Sequence, residues 1–436
     1  MTFTDKVKTD CIRLREILSK SAHLEVLPLE DVSFLLTIND ADCWHEIFQA
    51  SRLIKEKVYG RRVVLFAPLY LSNECVNDCL YCGFRRNNAE AVRKTLTVDE
   101  AVQQAKVLAS RGYKRVLLVA GEHPAACSLE YLGKVIEAIY QQTDIRILHV
   151  NAAPMSTESF RTLKSMGVGV YQCFQETYHA QTYRCLHPSG PKANYEWRLN
   201  VMDRAVEAGF DDIGMGVLLG LYDWQWDVHA LISHCHRLMD KYGFGPHTLS
   251  VPRLQLAQGA IYRADKYAVS DEDFKKIVAI YRLALPYVGV VVSTREPASL
   301  RDELLSFGVS QISAGSKTNP GGYENNEHTE QFSLTDNRSL EEIIDRIAQL
   351  GLVPSLCTAC YREGRTGEVF RKLAQGEHMK KFCQENAVLT LYEYVHNCGS
   401  ANAVLTRWLE EEIEALNGQI ADKIKQIDEG MKDIHI

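Results

Sequence analysis

The sequence predicts an α/β fold: a (β/α)8 barrel of the TIM type, with a helical N-terminal segment and a helical C-terminal domain. Eight short apolar or β-branched runs alternate with helical patterns between residues 59 and 316. Several of the intervening patterns begin with helix-capping signatures and end in glycine. The first run leads into Ser72-Asn73-Glu74-Cys75, so the glycine-rich turn that opens a dinucleotide-binding doubly wound sheet is absent.

Residues 1–58 read as amphipathic helices, with Phe34, Leu35, Ile38, Phe48 and Ile54 among the apolar positions. The strand runs follow at 63–70, 115–119, 145–150, 168–173, 212–217, 248–251, 288–292 and 309–313. Helix starts of the form Ser/Thr-x-x-Asp/Glu stand at Thr97 with Glu100, Ser270 with Asp273 and Ser339 with Glu342. Gly112, Gly167 and Gly209 close helices. Residues 317–436 are more than a barrel needs and form the C-terminal domain. Its tail has Leu405, Leu409, Ile413, Leu416 and Ile420 at helical spacing, suited to docking on the body or on a partner. Asn319-Pro320-Gly321-Gly322-Tyr323 is a turn without the Lys-Ser/Thr of a phosphate loop.

The chain has 436 residues, a formal charge of −7 and 13 cysteines. Its charge is spread along the chain, which leaves no concentrated basic face for nucleic acid. No run approaches the roughly 20 apolar residues of a membrane span, and the first residues lack a signal-peptide layout, so a cytoplasmic location is expected. In that reducing compartment an odd set of thiols makes a poor disulfide framework, and clustered cysteines read as metal ligands or catalytic groups.

Two clusters stand out. Cys75, Cys79 and Cys82 follow the first strand in the spacing Cys-x3-Cys-x2-Cys. Three thiolates hold three irons of a four-iron cubane and leave one iron open to an outside ligand; zinc would want a fourth protein ligand, and none lies close by in sequence. Far downstream, Cys357 and Cys360 are followed by Cys383, again a triplet, for which a zinc knuckle completed by His378 is the alternative. Cys11, Cys43, Cys127, Cys173, Cys185, Cys235 and Cys398 have no cluster spacing and are expected to be ordinary buried or partly buried thiols.

The first triplet, with Tyr81 before its last cysteine, resembles the signature of the radical S-adenosylmethionine enzymes. Gly121-Glu122, after the second strand, is similar to that family's Gly-Glu element. The second triplet sits in Cys357-Thr358-Ala359-Cys360-Tyr361-Arg362-Glu363-Gly364-Arg365-Thr366-Gly367, which resembles the C-terminal motif of the HydG family of tyrosine lyases. Phe66-Ala67-Pro68-Leu69-Tyr70-Leu71-Ser72-Asn73, Gln175-Glu176-Thr177-Tyr178-His179, Gly245-Pro246-His247-Thr248 and Ser293-Thr294-Arg295-Glu296 resemble that family too, so the likeness runs from about Ile54 to Asn397. The related ThiH family shares the barrel motifs and lacks the C-terminal triplet. Gly121-Glu122-His123-Pro124 and Glu196-Trp197-Arg198 read more like ThiH, and Asn151-Ala152-Ala153-Pro154-Met155 departs from the HydG pattern.

The resemblance implies a [4Fe-4S] cluster on Cys75, Cys79 and Cys82 that binds S-adenosylmethionine and yields a 5′-deoxyadenosyl radical. It implies cleavage of the Cα–Cβ bond of L-tyrosine to p-cresol and dehydroglycine. It implies a second cluster on Cys357, Cys360 and Cys383, with a labile iron held by His247 and a free L-cysteine, where carbon monoxide and cyanide form. Other hydrogenase maturases and an electron donor are the implied protein partners. From position alone, His247 precedes the sixth strand and so lies at the barrel mouth opposite Cys75, roughly 17 to 26 Å away for strands of this length. Arg295 ends the seventh strand, where its fork could clamp an amino-acid carboxylate or pair with Glu296 or Asp302. Ser313 is a candidate partner for the substrate amine. Tyr81, Gly121, Glu122, Glu176, Arg198 and Arg204 are candidates for holding S-adenosylmethionine. Two rival readings are a lyase that stops at dehydroglycine (2-iminoacetate) or p-cresol, or acts on another aromatic amino acid, and an iron-sulfur scaffold without turnover.

Overall fold

Each of the eight runs becomes a parallel strand in the computed structural model, which describes residues 10–324, 327–376, 378–398, 403–416 and 418–436. They are β1 (Arg62–Ser72), β2 (Arg115–Ala120), β3 (Ile147–Asn151), β4 (Val168–Gln172), β5 (Ile213–Gly216), β6 (Thr248–Ser250), β7 (Gly289–Val292) and β8 (Gln311–Ser313). Pairing runs in chain order from β2 to β8, and β1 joins β8 to β2, which closes the barrel. The outer faces of the strands are apolar because helices cover them, and the lumen face mixes apolar side chains with polar ones such as Asn151, Gln172, Ser250 and Ser313. Strand alternation sorts them: on β2, Val116 and Leu118 join the main core, whereas Leu117 and Val119 pack with Tyr70 and Phe84 inside the barrel.

One strand was not anticipated. β9 (Val353–Ser355) pairs with the start of β1, matching Arg62 to Val353 and Val64 to Ser355. Strand β1 is 11 residues long and serves three neighbours: β9 and β8 near its start and β2 along its second half. Set among helices and loops, β9 fixes the C-terminal segment to the N-terminal mouth. Cys357 stands two residues beyond it.

The N-terminal helices Cys11–Ala22, Leu29–Thr37 and Ala41–Tyr59 pack on the helix Asp271–Ala284. Ser51 Oγ donates to the Phe307 carbonyl at 2.7 Å and Lys55 Nζ to the Leu305 carbonyl at 3.1 Å. Burial pushes the Lys55 ammonium down to about 7. Thr97 and Ser339 form full capping boxes with Glu100 and Glu342. Ser270 caps the Asp273 N–H, but the Asp273 carboxylate takes the Ser270 hydroxyl in place of its backbone N–H. In the tail, Leu405, Leu409 and Ile420 are buried against the body, and the apolar core is continuous from the N-terminal helices to Ile427. Cys11 and Cys185 are exposed, contrary to expectation, because neither lies on the buried face of its helix; the Cys398 side chain lies outside the described residues. Among the described residues no helix is long and apolar enough to cross a membrane.

Candidate active site

The loop after β1 carries Cys75, Cys79 and Cys82 into one cavity at the C-terminal mouth, where Tyr81, Gly121, Glu122, Glu176, Arg198, Arg295 and Ser313 also line the wall. Side chains, rather than regular secondary structure, hold this loop. Asn77 Nδ2 donates to Glu122 Oε2 at 2.8 Å, Arg85 Nε to Asp78 Oδ1 at 2.8 Å, and the Tyr81 hydroxyl meets His187 Nε2 at 2.8 Å. Burial pushes the Cys82 thiol up to about 11 and raises Cys75 and Cys79 as well. Such thiols stay protonated at neutral pH until a metal displaces the protons. Among the described residues no three His, Cys, Asp or Glu side chains could hold a single metal ion. A four-iron cubane asks each thiolate to reach a different iron.

Gly121 is required for a steric reason: a Cβ there would sit 2.2 Å from the Glu74 carbonyl oxygen, inside the loop that bears Cys75. The adjoining Glu122 opens a buried network of alternating charge. Arg198 Nη1 lies 3.0 Å from Glu122 Oε1, Arg198 Nη2 lies 3.4 Å from Glu176 Oε1, and Lys192 Nζ lies 2.6 Å from the same Glu176 oxygen. Burial alone would raise the Glu176 carboxyl, but Lys192 and Arg198 overcome it and hold it at about 2. Glu176 sits at φ +70°, a left-handed conformation rare for a residue with a side chain. Asp227 braces the next two residues, accepting from Thr177 Oγ1 at 3.0 Å and from the Tyr178 N–H at 2.7 Å.

On the other side of the cavity the Arg295 guanidinium stacks over Phe332 at 3.3 Å from the ring centroid. The competing ion pairs are taken: Glu296 binds Arg253 at 3.0 Å, and Asp302 binds Arg338 at 3.0 Å and Arg346 at 2.8 Å. Arg295 therefore faces the cavity with no carboxylate partner among the described residues. Ser313 Oγ accepts from the Thr294 N–H at 3.2 Å and keeps its own proton to offer. Tyr70 donates to Gln331 Oε1 at 2.7 Å above them.

The second triplet lies at the N-terminal mouth. Cys357 and Cys360 flank the turn after β9, and buried Cys383 comes from the helix His378–Cys398. Burial, with the neighbouring thiols, pushes Cys360 up to about 12, and Arg62 responds to all three sulfurs. His378 is exposed on the first turn of that helix. His247 is seated before β6: its N–H donates to the Ile213 carbonyl at 3.0 Å, and its Nδ1 meets Asp212 Oδ1 at 2.9 Å. Asp212 is 1 % exposed, so this contact fixes the ring and leaves Nε2 for a ligand. Phe370 stacks on the His247 ring with centroids 3.9 Å apart.

Arg204 does not join the cavity. Its three nitrogens donate to the carbonyls of Met155, Asn200 and Trp197, and its guanidinium stacks on Trp197 at 3.6 Å. It ties the short helices after β4 together through backbone carbonyls. Sequence reasoning missed Lys192, Asn77, Asp212, Arg115 and His149. For His149 a signal existed: it alternates with Leu148 and Val150, which belong to the outer core, so its ring points into the lumen. Burial, Arg115 and His247 push His149 well below the usual imidazole range.

Residues 69–232 match the radical SAM superfamily, and residues 250–353 match the biotin and thiamin synthesis associated domain. The chain is 33% identical over 367 residues to the 2-iminoacetate synthase of Salmonella typhimurium, covering 81% of this chain and 95% of that protein. It is similar to a crystal structure of HydG, a maturase of the [FeFe]-hydrogenase, with a TM-score of 0.93 and 41% identity over 99% of this chain and 96% of that one. HydG from Carboxydothermus hydrogenoformans superposes with a TM-score of 0.85 at 42% identity, over 95% and 94% of the two chains. The family's [4Fe-4S] cluster with S-adenosylmethionine has a fitting donor set in the three thiols that line the cavity at the C-terminal mouth and the charged network beside them. The chain therefore belongs to the radical S-adenosylmethionine lyases, in the family that includes the 2-iminoacetate synthases and the HydG maturases.

Proposed function

We propose that the chain is a HydG-type tyrosine lyase, which cleaves L-tyrosine to p-cresol and dehydroglycine at one mouth and forms carbon monoxide and cyanide at the other for [FeFe]-hydrogenase assembly. The observation that carries this reading is the second cysteine triplet, with Cys383 buried and Cys357 and Cys360 half-buried, at the same mouth as a histidine that Asp212 orients. A lyase that stopped at 2-iminoacetate would have no use for it.

Cys75, Cys79 and Cys82 would hold the radical cluster, which with S-adenosylmethionine bound supplies the 5′-deoxyadenosyl radical. Glu122, Glu176 and Arg198 are assigned to the cofactor: their fixed charges offer both carboxylate and guanidinium partners to its amino-acid end and its sugar. Tyr81 walls that side with its ring while His187 holds its hydroxyl. Arg295 clamps the tyrosine carboxylate, and Ser313 orients the amine whose hydrogen is removed. The apolar wall of Phe66, Phe84 and Leu117 excludes water from the reacting centre. Cys357, Cys360 and Cys383 would hold the auxiliary cluster, with His247 and a free L-cysteine at its labile iron. Residues 1–58, 59–316 and 317–436 then serve as brace, barrel and auxiliary-cluster domain, and other maturases and an electron donor are the protein partners, in the cytoplasm.

Turnover of the reconstituted protein with tyrosine, S-adenosylmethionine and a reductant, read by mass spectrometry, tests the first half. The reading expects p-cresol and 5′-deoxyadenosine in step; 5′-deoxyadenosine without p-cresol would move the substrate elsewhere.

A further inference from the structure

Between the upper cavity and the second cysteine triplet, the lumen holds a polar atom that the chain does not satisfy. His149 Nε2 is buried and has no hydrogen-bond partner. Unpaired buried polar atoms are rare in folded proteins and call for an occupant. The ring points inward from β3, beside Leu117, its register partner on β2, which lines the lower wall of the cavity. On its other side it meets the Tyr361 ring edge-on, with centroids 5.3 Å apart.

Arg115 reaches the same aromatic ring, its guanidinium 5.2 Å from the Tyr361 centroid. One end of its fork donates to the Cys357 carbonyl at 2.9 Å, and its Nε, like His149 Nε2, is buried without a partner. His247 is already committed through Nδ1 to Asp212. An imidazole N–H and a guanidinium N–H, both unpaired and flanked by apolar wall, make a donor set that suits a small carboxylate.

We propose that His149, with Arg115, is a way-station for a two-carbon α-imino acid travelling down the lumen, holding its carboxylate above Tyr361 until it reaches the second site. The proposal rests on the tyrosine-lyase reading, whose dehydroglycine is the acid concerned. Dehydroglycine that escapes hydrolyses to glyoxylate and ammonia, so escape can be counted. His149 is thus a positioning residue for transfer, outside the radical chemistry at the upper mouth.

The test is turnover of the full-length holoenzyme, measuring glyoxylate and p-cresol together in the wild type, His149→Leu and His149→Asn. The expected result is unaltered p-cresol, a glyoxylate-to-p-cresol ratio several-fold higher in His149→Leu, and restoration by His149→Asn, whose amide N–H replaces the donor. An unaltered ratio in His149→Leu with p-cresol intact overturns the way-station and leaves the lyase reading standing. Absence of p-cresol from the wild type instead overturns the lyase reading. Equilibrium dialysis with radiolabelled glyoxylate gives a readout without turnover: saturable binding by the wild type, weakened by His149→Leu, supports the station. No saturable binding by the wild type overturns it, whether or not the leucine variant folds.

Discussion

At the level of single residues, the arrangement assigns different jobs to groups that look alike in sequence. Arg198 and Arg204 stand on the short helices after β4 and Arg295 just past β7, yet one is locked between two carboxylates, one is spent on backbone carbonyls, and one faces the cavity with no carboxylate partner among the described residues. Replacing Arg295 by Gln removes the proposed clamp on the tyrosine carboxylate. A lost charged hydrogen bond of this kind costs about 2–5 kcal/mol of binding, so KM for tyrosine should rise steeply while S-adenosylmethionine still binds; steady-state kinetics with binding of the cofactor measured separately checks this. Asp212→Asn keeps the size but weakens the hold on His247. Loss of such a supporting partner costs roughly 10–100-fold in metal affinity or activity. Carbon monoxide should fall in that range with p-cresol intact; equal loss of both would place Asp212 in general folding instead.

The elements explain why some of this was legible and some was not. Cys75, Cys79, Cys82, Cys357 and Cys360 could be paired from spacing because cluster ligands cluster in sequence. Asp212 and His247 could not, since the edge that joins them is the pairing of β5 with β6, a tertiary fact. β9 escaped because three residues with a proline in the middle carry no periodic signal; it exists by pairing with β1. Arg204 lies off the cavity on backbone carbonyls, and a helix-face arginine shows nothing in sequence of the carbonyls it will meet. The helix Trp224–Tyr242 contributes a testable piece of scaffolding through Asp227. Burial pushes the Asp227 carboxyl up to about 7, against the opposing pull of its two hydrogen bonds to the segment behind Glu176. A carboxyl whose folded pKa lies above its unfolded value favours the folded state less as pH rises from about 4 to about 7, by a few kcal/mol at most. Asp227→Asn accepts the same two bonds without a charge. Its unfolding temperature should therefore exceed the wild type's at pH 8 and approach it at pH 5; parallel curves would contradict the assignment. Gly121→Ala, with its Cβ driven against the Glu74 carbonyl, should displace the cysteine loop, and lower iron content of the reconstituted variant is the measure.

Across the whole molecule, the closed barrel separates two thiol triplets at its opposite mouths, each with one buried and two half-buried cysteines. The long β1 strand connects them physically, with Arg62 at its lower end beside Cys357, Cys360 and Cys383 and Cys75 three residues past its upper end. The lower triplet depends on β9 and the C-terminal helices, the upper one on the loop after β1 and the charged network from β2 and β4. Chemistry at the two mouths should therefore be separable. The most direct measurement is the yield of p-cresol and of carbon monoxide from the Cys357→Ser, Cys360→Ser double variant, reconstituted with iron and sulfide and supplied with tyrosine and S-adenosylmethionine. Continued p-cresol with no carbon monoxide is the predicted result; carbon monoxide at the wild-type ratio to p-cresol would contradict the account.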